Sequence, residues 1–91
     1  MQRLSLRICG RVTGIGFRYS TREIADKLGL CGFVRNCPDS SVEISVEGNE
    51  QVLDRFLEWC NKGPSLAHVE KVEIFERKDV DSKLFNDFSI R

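Results

Sequence analysis

An α+β two-layer sandwich is the fold class this sequence predicts, on three observations. Four stretches alternate apolar and polar residues with the period of a half-buried strand, around Leu4-Leu6-Ile8, Leu30-Gly32-Val34, Val42-Ile44-Val46 and Val69 to Glu76. Two further stretches repeat apolar residues at helical spacing. Glycine, proline and asparagine stand at the joints and fix the order βαββαβ.

The first strand spans residues 3–12, with Leu4, Leu6, Ile8, Gly10 and Val12 on one face and Arg3, Ser5, Arg7, Cys9 and Arg11 on the other. After a glycine loop, Ile24, Ala25 and Leu28 recur at helical spacing. Ser20 or Thr21 stands near that helix's start, and Gly29 is a natural stop. The second strand, residues 30–36, sets Leu30, Gly32 and Val34 against Cys31, Phe33 and Arg35. Pro38-Asp39-Ser40-Ser41 supplies turn chemistry. The third strand turns Val42, Ile44 and Val46 one way and Glu43, Ser45 and Glu47 the other. Asn49 caps a second helix running through Asn61, with Leu53, Phe56, Leu57 and Cys60 on one stripe and a stop at Lys62-Gly63-Pro64. Trp59 and Phe56 read as packing residues, and Glu50, Asp54 and Glu58 as a solvated helical face. Past the fourth strand, residues 78–83 are charged and read as a loop, while Phe85, Phe88 and Ile90 suggest a short last strand.

Right-handed crossovers turn this order into a ferredoxin-like βαββαβ sandwich, with both helices on one face of an antiparallel sheet ordered 4-1-3-2 and a short extra C-terminal strand. Strands one and two then run parallel with strand three between them, so Asn36 lies beside the loop that follows strand one. On the helix-free face, Arg7 and Arg11 are expected across from Glu43 and Glu47.

The chain has 91 residues, enough for one domain spanning 1–91. Its 14 basic and 14 acidic residues cancel, leaving no global field to draw nucleic acid or anionic lipid. No apolar run approaches spanning length, and Met1-Gln2-Arg3-Leu4-Ser5 lacks a signal-peptide core. The chain reads as soluble, cytoplasmic and monomeric, with a small molecule as partner and neither nucleic acid nor membrane. Cys9, Cys31, Cys37 and Cys60 show no C-x-x-C spacing and His68 is the only histidine, so no metal ligand set is expected. The thiols read as core filler and His68 as functionless, with Cys37 notable only for following Asn36.

Gly10-Arg11-Val12-Thr13-Gly14-Ile15-Gly16-Phe17-Arg18 is the stretch that carries chemistry. Alternate glycines between a strand and a helix let successive N–H groups form a concave anion site, to which the helix adds its positive dipole end. Arg18 adds a planar fork of donors matched to phosphate oxygens. The spacing lacks the G-x-x-x-x-G-K-[ST] of a Walker loop. It also departs from the dinucleotide fingerprint, because Tyr19 occupies the place of the third glycine. The loop alone leaves two readings open: a phosphate cradle, or glycines that only shape a β-to-α connection with Arg18 paired to a carboxylate.

The same stretch resembles the G-x-V-x-G-V-G-F-R signature of acylphosphatases. Gly29-Leu30-Cys31-Gly32-Phe33-Val34-Arg35-Asn36 resembles that family's G-L-x-G-W/Y-V-x-N segment, and Val42 to Gly48 and Gly63 to Val69 follow in the expected order. The resemblance implies hydrolysis of acyl phosphates to a carboxylate and inorganic phosphate, without metal or cofactor. It puts the catalytic arginine at Arg18, the catalytic asparagine at Asn36, and phosphate binding on Thr13, Gly14, Ile15, Gly16, Phe17 and Arg18. Three positions depart from the family pattern: Thr13 replaces a common glutamine, Phe33 a tryptophan or tyrosine, and Asp39-Ser40-Ser41 an Asp-Gly turn, which argues against a type I′ hairpin.

Two other classes compete. RNA-recognition domains share the βαββαβ order but place stacking aromatics on the open face; here that face carries Arg7, Cys9, Arg11, Glu43, Ser45 and Glu47. A non-catalytic phosphate sensor, or a module like the acylphosphatase-like domain of hydrogenase-maturation transcarbamoylases, would keep the loop without free turnover.

Overall fold

The computed structural model describes residues 1–91. Its elements are β1 Gln2–Arg11, α1 Phe17–Lys27, β2 Cys31–Asn36, β3 Val42–Gly48, α2 Glu50–Lys62, β4 His68–Asp79 and β5 Phe88–Ile90. They form one sheet ordered β4-β1-β3-β2-β5. The four principal strands pair antiparallel in the expected order. The short last strand adds to the outside of β2 and runs parallel to it, Gly32 facing Phe88 and Val34 facing Ile90, so the sheet is mixed.

Alternation in the sequence becomes the core. Leu4, Leu6 and Ile8 of β1, Val34 of β2, and Val42, Ile44 and Val46 of β3 are fully buried beneath Phe17 and Ala25 of α1 and Leu53, Phe56 and Cys60 of α2. Each of these valine, leucine, isoleucine and phenylalanine side chains contributes roughly 1.5–3 kcal/mol by leaving water. Glu50, Asp54 and Glu58 are exposed on the opposite face of α2, as the helical spacing requires.

The helix ends follow their local chemistry. Asn49 caps α2 by accepting the Gln51 N–H at 2.9 Å. Helix α1 stops where Gly29 donates to the Asp26 carbonyl at 3.1 Å and Leu30 to that of Ala25 at 2.9 Å. Its start lies earlier than Ser20 or Thr21. Phe17 is its first residue, and Gly16 precedes it in a left-handed conformation with no side-chain cap. Thr21 instead sits buried inside the helix, where its hydroxyl donates to the Phe17 carbonyl at 2.8 Å.

One other segment also differs from the sequence expectation, while the β2–β3 turn agrees with it. Strand β4 continues to Asp79, pairing Lys78 with Arg3 and Asp79 with Gln2, because β1 offers a pairing edge that overrides the polar composition. The β2–β3 connection, residues 37–41, is closed by Cys37 N–H to Ser41 O at 2.8 Å and Ser40 N–H to Cys37 O at 3.1 Å. Only Ser40 has positive φ there, so the hairpin is not of type I′. The Ser41 hydroxyl and N–H bond the Asp39 carboxylate and hold its pKa down.

The helix-free face is less open than expected. Arg7 does lie opposite Glu43, but Glu47 faces Arg3, and Arg11 pairs across β4 with His68. Register decides this, because β3 has ended before β1 reaches Arg11. Glu43 bonds Arg35 instead of Arg7, whose guanidinium lies 5.1 Å from the centre of the Phe75 ring. Glu47 is only 2% exposed. It accepts Arg3 Nη2 at 2.8 Å and the N–H groups of Leu84 at 3.0 Å and Phe85 at 3.2 Å. Burial alone would raise its pKa; the Leu84 N–H, Arg3 and the Phe85 N–H outweigh that and lower it. The segment before β5 is thereby folded over this face. No helix is long and apolar enough to cross a membrane.

Candidate active site

Beyond Arg11 the chain is anchored by Val12, which is fully buried, and crosses to α1 through residues 13–16. Gly14 and Gly16 have φ of 73° and 76°. A Cβ at either would meet nothing within 4 Å, so backbone conformation, not crowding, reserves these positions for glycine. The left-handed turns leave the backbone N–H groups from Thr13 through Tyr19 without an acceptor in the protein. Helix α1 adds no side-chain cap and no acidic residue in its first turn. Free N–H groups at a helix N-terminus with no carboxylate nearby form a site for an anion.

A cavity of about 80 Å³ opens there, lined by Val12, Thr13, Gly14, Gly16, Phe17, Arg18, Tyr19 and Asn36. Asn36 reaches it from the exposed end of β2. The sheet explains the meeting: Val42 of β3 pairs with Ile8 on one side and with Asn36 on the other, so Asn36 ends β2 level with Ile8, on the side of the sheet where β1 runs on through Arg11 into the loop. Of the expected site residues only Ile15 is missing from the lining. Its apolar side chain turns inward and packs against the core, leaving its N–H as its contribution to the loop.

Arg18 pairs with no Asp or Glu side chain; the salt bridges engage Arg3, Arg35, Lys71, Arg77 and Lys78. Its Nη1 donates to the main-chain oxygen of Arg91 at 3.1 Å, one of five donors, which leaves the rest for a ligand. Arg91 is itself fixed, by its N–H to Val34 O at 2.8 Å and by its guanidinium 4.2 Å from the centre of the Phe33 ring. The main-chain oxygen that holds Arg18 thus belongs to a residue bonded to β2. Cys37, next to Asn36, is buried; Cys60 is deep in the core, where burial pushes its thiol pKa up.

The acylphosphatase family model matches residues 4–90. The chain belongs to the acylphosphatase family. It is 42% identical over 82 residues to an acylphosphatase of Nocardioides sp., spanning 90% of this chain and 83% of that one. The crystal structure of the acylphosphatase from Bacillus subtilis superposes with a TM-score of 0.92 at 34% identity, covering 100% of this chain and 99% of that one. Full-length HypF in its phosphate- and nucleotide-bound form contains a similar unit, with a TM-score of 0.84 and 33% identity, covering 99% of this chain but 12% of that one. As in other acylphosphatases, family and fold together support hydrolysis of acyl phosphates.

Within this acylphosphatase, sequence reasoning missed two lining residues. Val12 belongs to the glycine stretch but stands outside the expected site residues, which begin at Thr13. Tyr19 was read only as the residue that breaks a dinucleotide pattern. Helix geometry holds the signal for Tyr19, because side chains in a first turn lean back toward the N-terminus and so over the loop.

Proposed function

We propose that the chain hydrolyses the carboxyl–phosphate bond of acyl phosphates at the cavity beside α1, without metal or cofactor. The loop N–H groups of residues 13–18 and the Arg18 guanidinium hold the phosphoryl oxygens, and Asn36 orients the attacking water. The observation that carries this reading is one cavity lined by the acceptor-free loop, Arg18 and Asn36.

The chemistry asks for little more. Phosphoryl transfer depends on positioning and charge stabilisation. Contacts from charged donors to phosphoryl oxygens are worth roughly 1.5–3 kcal/mol each. Asn36 offers both a donor and an acceptor, so it aligns a water opposite the scissile P–O bond without titrating. The water oxygen bonds to phosphorus, the P–O bond to the acyl group breaks, and its electron pair leaves on a carboxylate. That leaving group is a weak base and needs no general acid. The water proton passes to a phosphoryl oxygen.

Phosphate release from benzoyl phosphate, measured with chelator present, tests the proposal. Wild type turns over. Asn36→Ala loses turnover and keeps inhibition by inorganic phosphate, whereas Arg18→Ala loses both. Full activity in Asn36→Ala would overturn the role given to Asn36. Phosphate binding by wild type without turnover would favour a sensor over an enzyme.

A further inference from the structure

At about 80 Å³ the cavity is far below the roughly 300 Å³ at which pockets enclosing a whole organic ligand begin. A phosphoryl group fits within it; the acyl group of any substrate larger than the smallest has to lie outside, across the mouth. Most of the lining offers nothing apolar there. Val12 and Phe17 are buried, Gly14 and Gly16 have no side chain, and Thr13, Arg18 and Asn36 are polar.

Tyr19 is the exception. It lines the same cavity, yet 63% of it is exposed, among the highest values for a large hydrophobic residue in the chain. Its ring is backed by the Arg22 guanidinium, 6.0 Å from the ring centre and one helical turn on. A core role does not account for an aromatic residue this exposed in the lining of an anion site. We propose that Tyr19 is the acyl-side platform of this site and selects acyl phosphates that carry an aromatic group over those of acetyl size. The inference rests on the proposed acyl phosphate hydrolysis. The phosphoryl group fixes one end of the substrate against the loop, and the planar acyl group stacks on, or meets edge-on, the Tyr19 ring.

The test compares kcat/KM for benzoyl phosphate and acetyl phosphate in wild type, Tyr19→Ala and Tyr19→Phe. The benzoyl-to-acetyl ratio falls about tenfold in Tyr19→Ala, mainly through KM for benzoyl phosphate, and Tyr19→Phe keeps it, since the ring and not the hydroxyl makes the contact. A wild type that hydrolyses both substrates, with an unchanged ratio in Tyr19→Ala, overturns the platform and leaves the reaction standing. A ratio lost in Tyr19→Phe as well assigns the effect to the hydroxyl and also overturns it. A wild type inactive on both substrates overturns the reaction and the platform with it.

Discussion

Replacing Glu47 by glutamine isolates one buried charge. The carboxylate accepts Arg3 Nε at 3.0 Å and Nη2 at 2.8 Å, together with the N–H groups of Leu84 and Phe85. Glutamine has one acceptor oxygen. If that oxygen serves Leu84 and Phe85, the amide NH₂ meets the guanidinium donor to donor. Arg3, with its side chain 14% exposed, regains little hydration. Leaving one member of a buried pair uncompensated costs about 3 kcal/mol. That amounts to roughly 15 °C in Tm for a domain of this size. Urea denaturation of wild type and Glu47→Gln measures it. The folded pKa lies below the unfolded value of about 4.3, so the carboxylate's contribution is complete above that value and fades as pH falls through the folded pKa. The gap between the two proteins therefore stays constant from pH 8 to about 5 and closes in stronger acid. A neutral-pH gap below about 1 kcal/mol, or one that widens toward acid, would refute the reasoning.

Three further outcomes follow from the site and the core. No carboxylate, histidine or thiol lines the cavity, so turnover of benzoyl phosphate varies less than about twofold between pH 5.5 and 8, and His68→Ala has the same profile; a steep apparent pKa near 7 that this substitution abolishes would sink the water-positioning role of Asn36. Gly16→Ala forces a side chain into the left-handed region at φ 76°, costing roughly 1–2 kcal/mol and weakening inhibition by inorganic phosphate, as thermal melts and inhibition kinetics will read out. Half-buried Cys9 and Cys31 react with an aromatic disulfide reagent in the folded protein, whereas Cys60 is labelled only at the rate of unfolding; rapid labelling of Cys60 in native buffer would contradict its burial.

Much of this was legible in the residues themselves. The alternation Leu4-Leu6-Ile8 and Val42-Ile44-Val46 prescribes which face is buried, and strand order then brings Asn36 to the glycine loop. Local signals acted alone in these places. Glu47 shows where that stops: it reads as a charge on an open face, and its burial depends on N–H groups of Leu84 and Phe85, far along the chain, in a segment without strand periodicity. Helix α1 starts ahead of its apparent cap because the backbone of Gly16, not a hydroxyl, begins it. The polar end of β4 becomes a strand through its partner, not its own composition. Tyr19 was visible as a residue, but its exposure at a cavity rim exists only once helix and loop are assembled.

Strand β3 supplies no side chain to the cavity, yet it is the ruler against which both halves of the site are measured. β1 and β2 are not paired with each other; each is aligned to β3, and Val42 is the common mark. A slip of one residue on either side would carry Asn36 about 3.3 Å along the strand and turn it to the other face of the sheet. On the proposed mechanism, water aimed at phosphorus tolerates far less than that. Hydrolysis is therefore a sensitive gauge of sheet register: a misaligned chain that is still folded and rich in strand would be catalytically silent, and specific activity would count correctly threaded molecules where circular dichroism counts all of them.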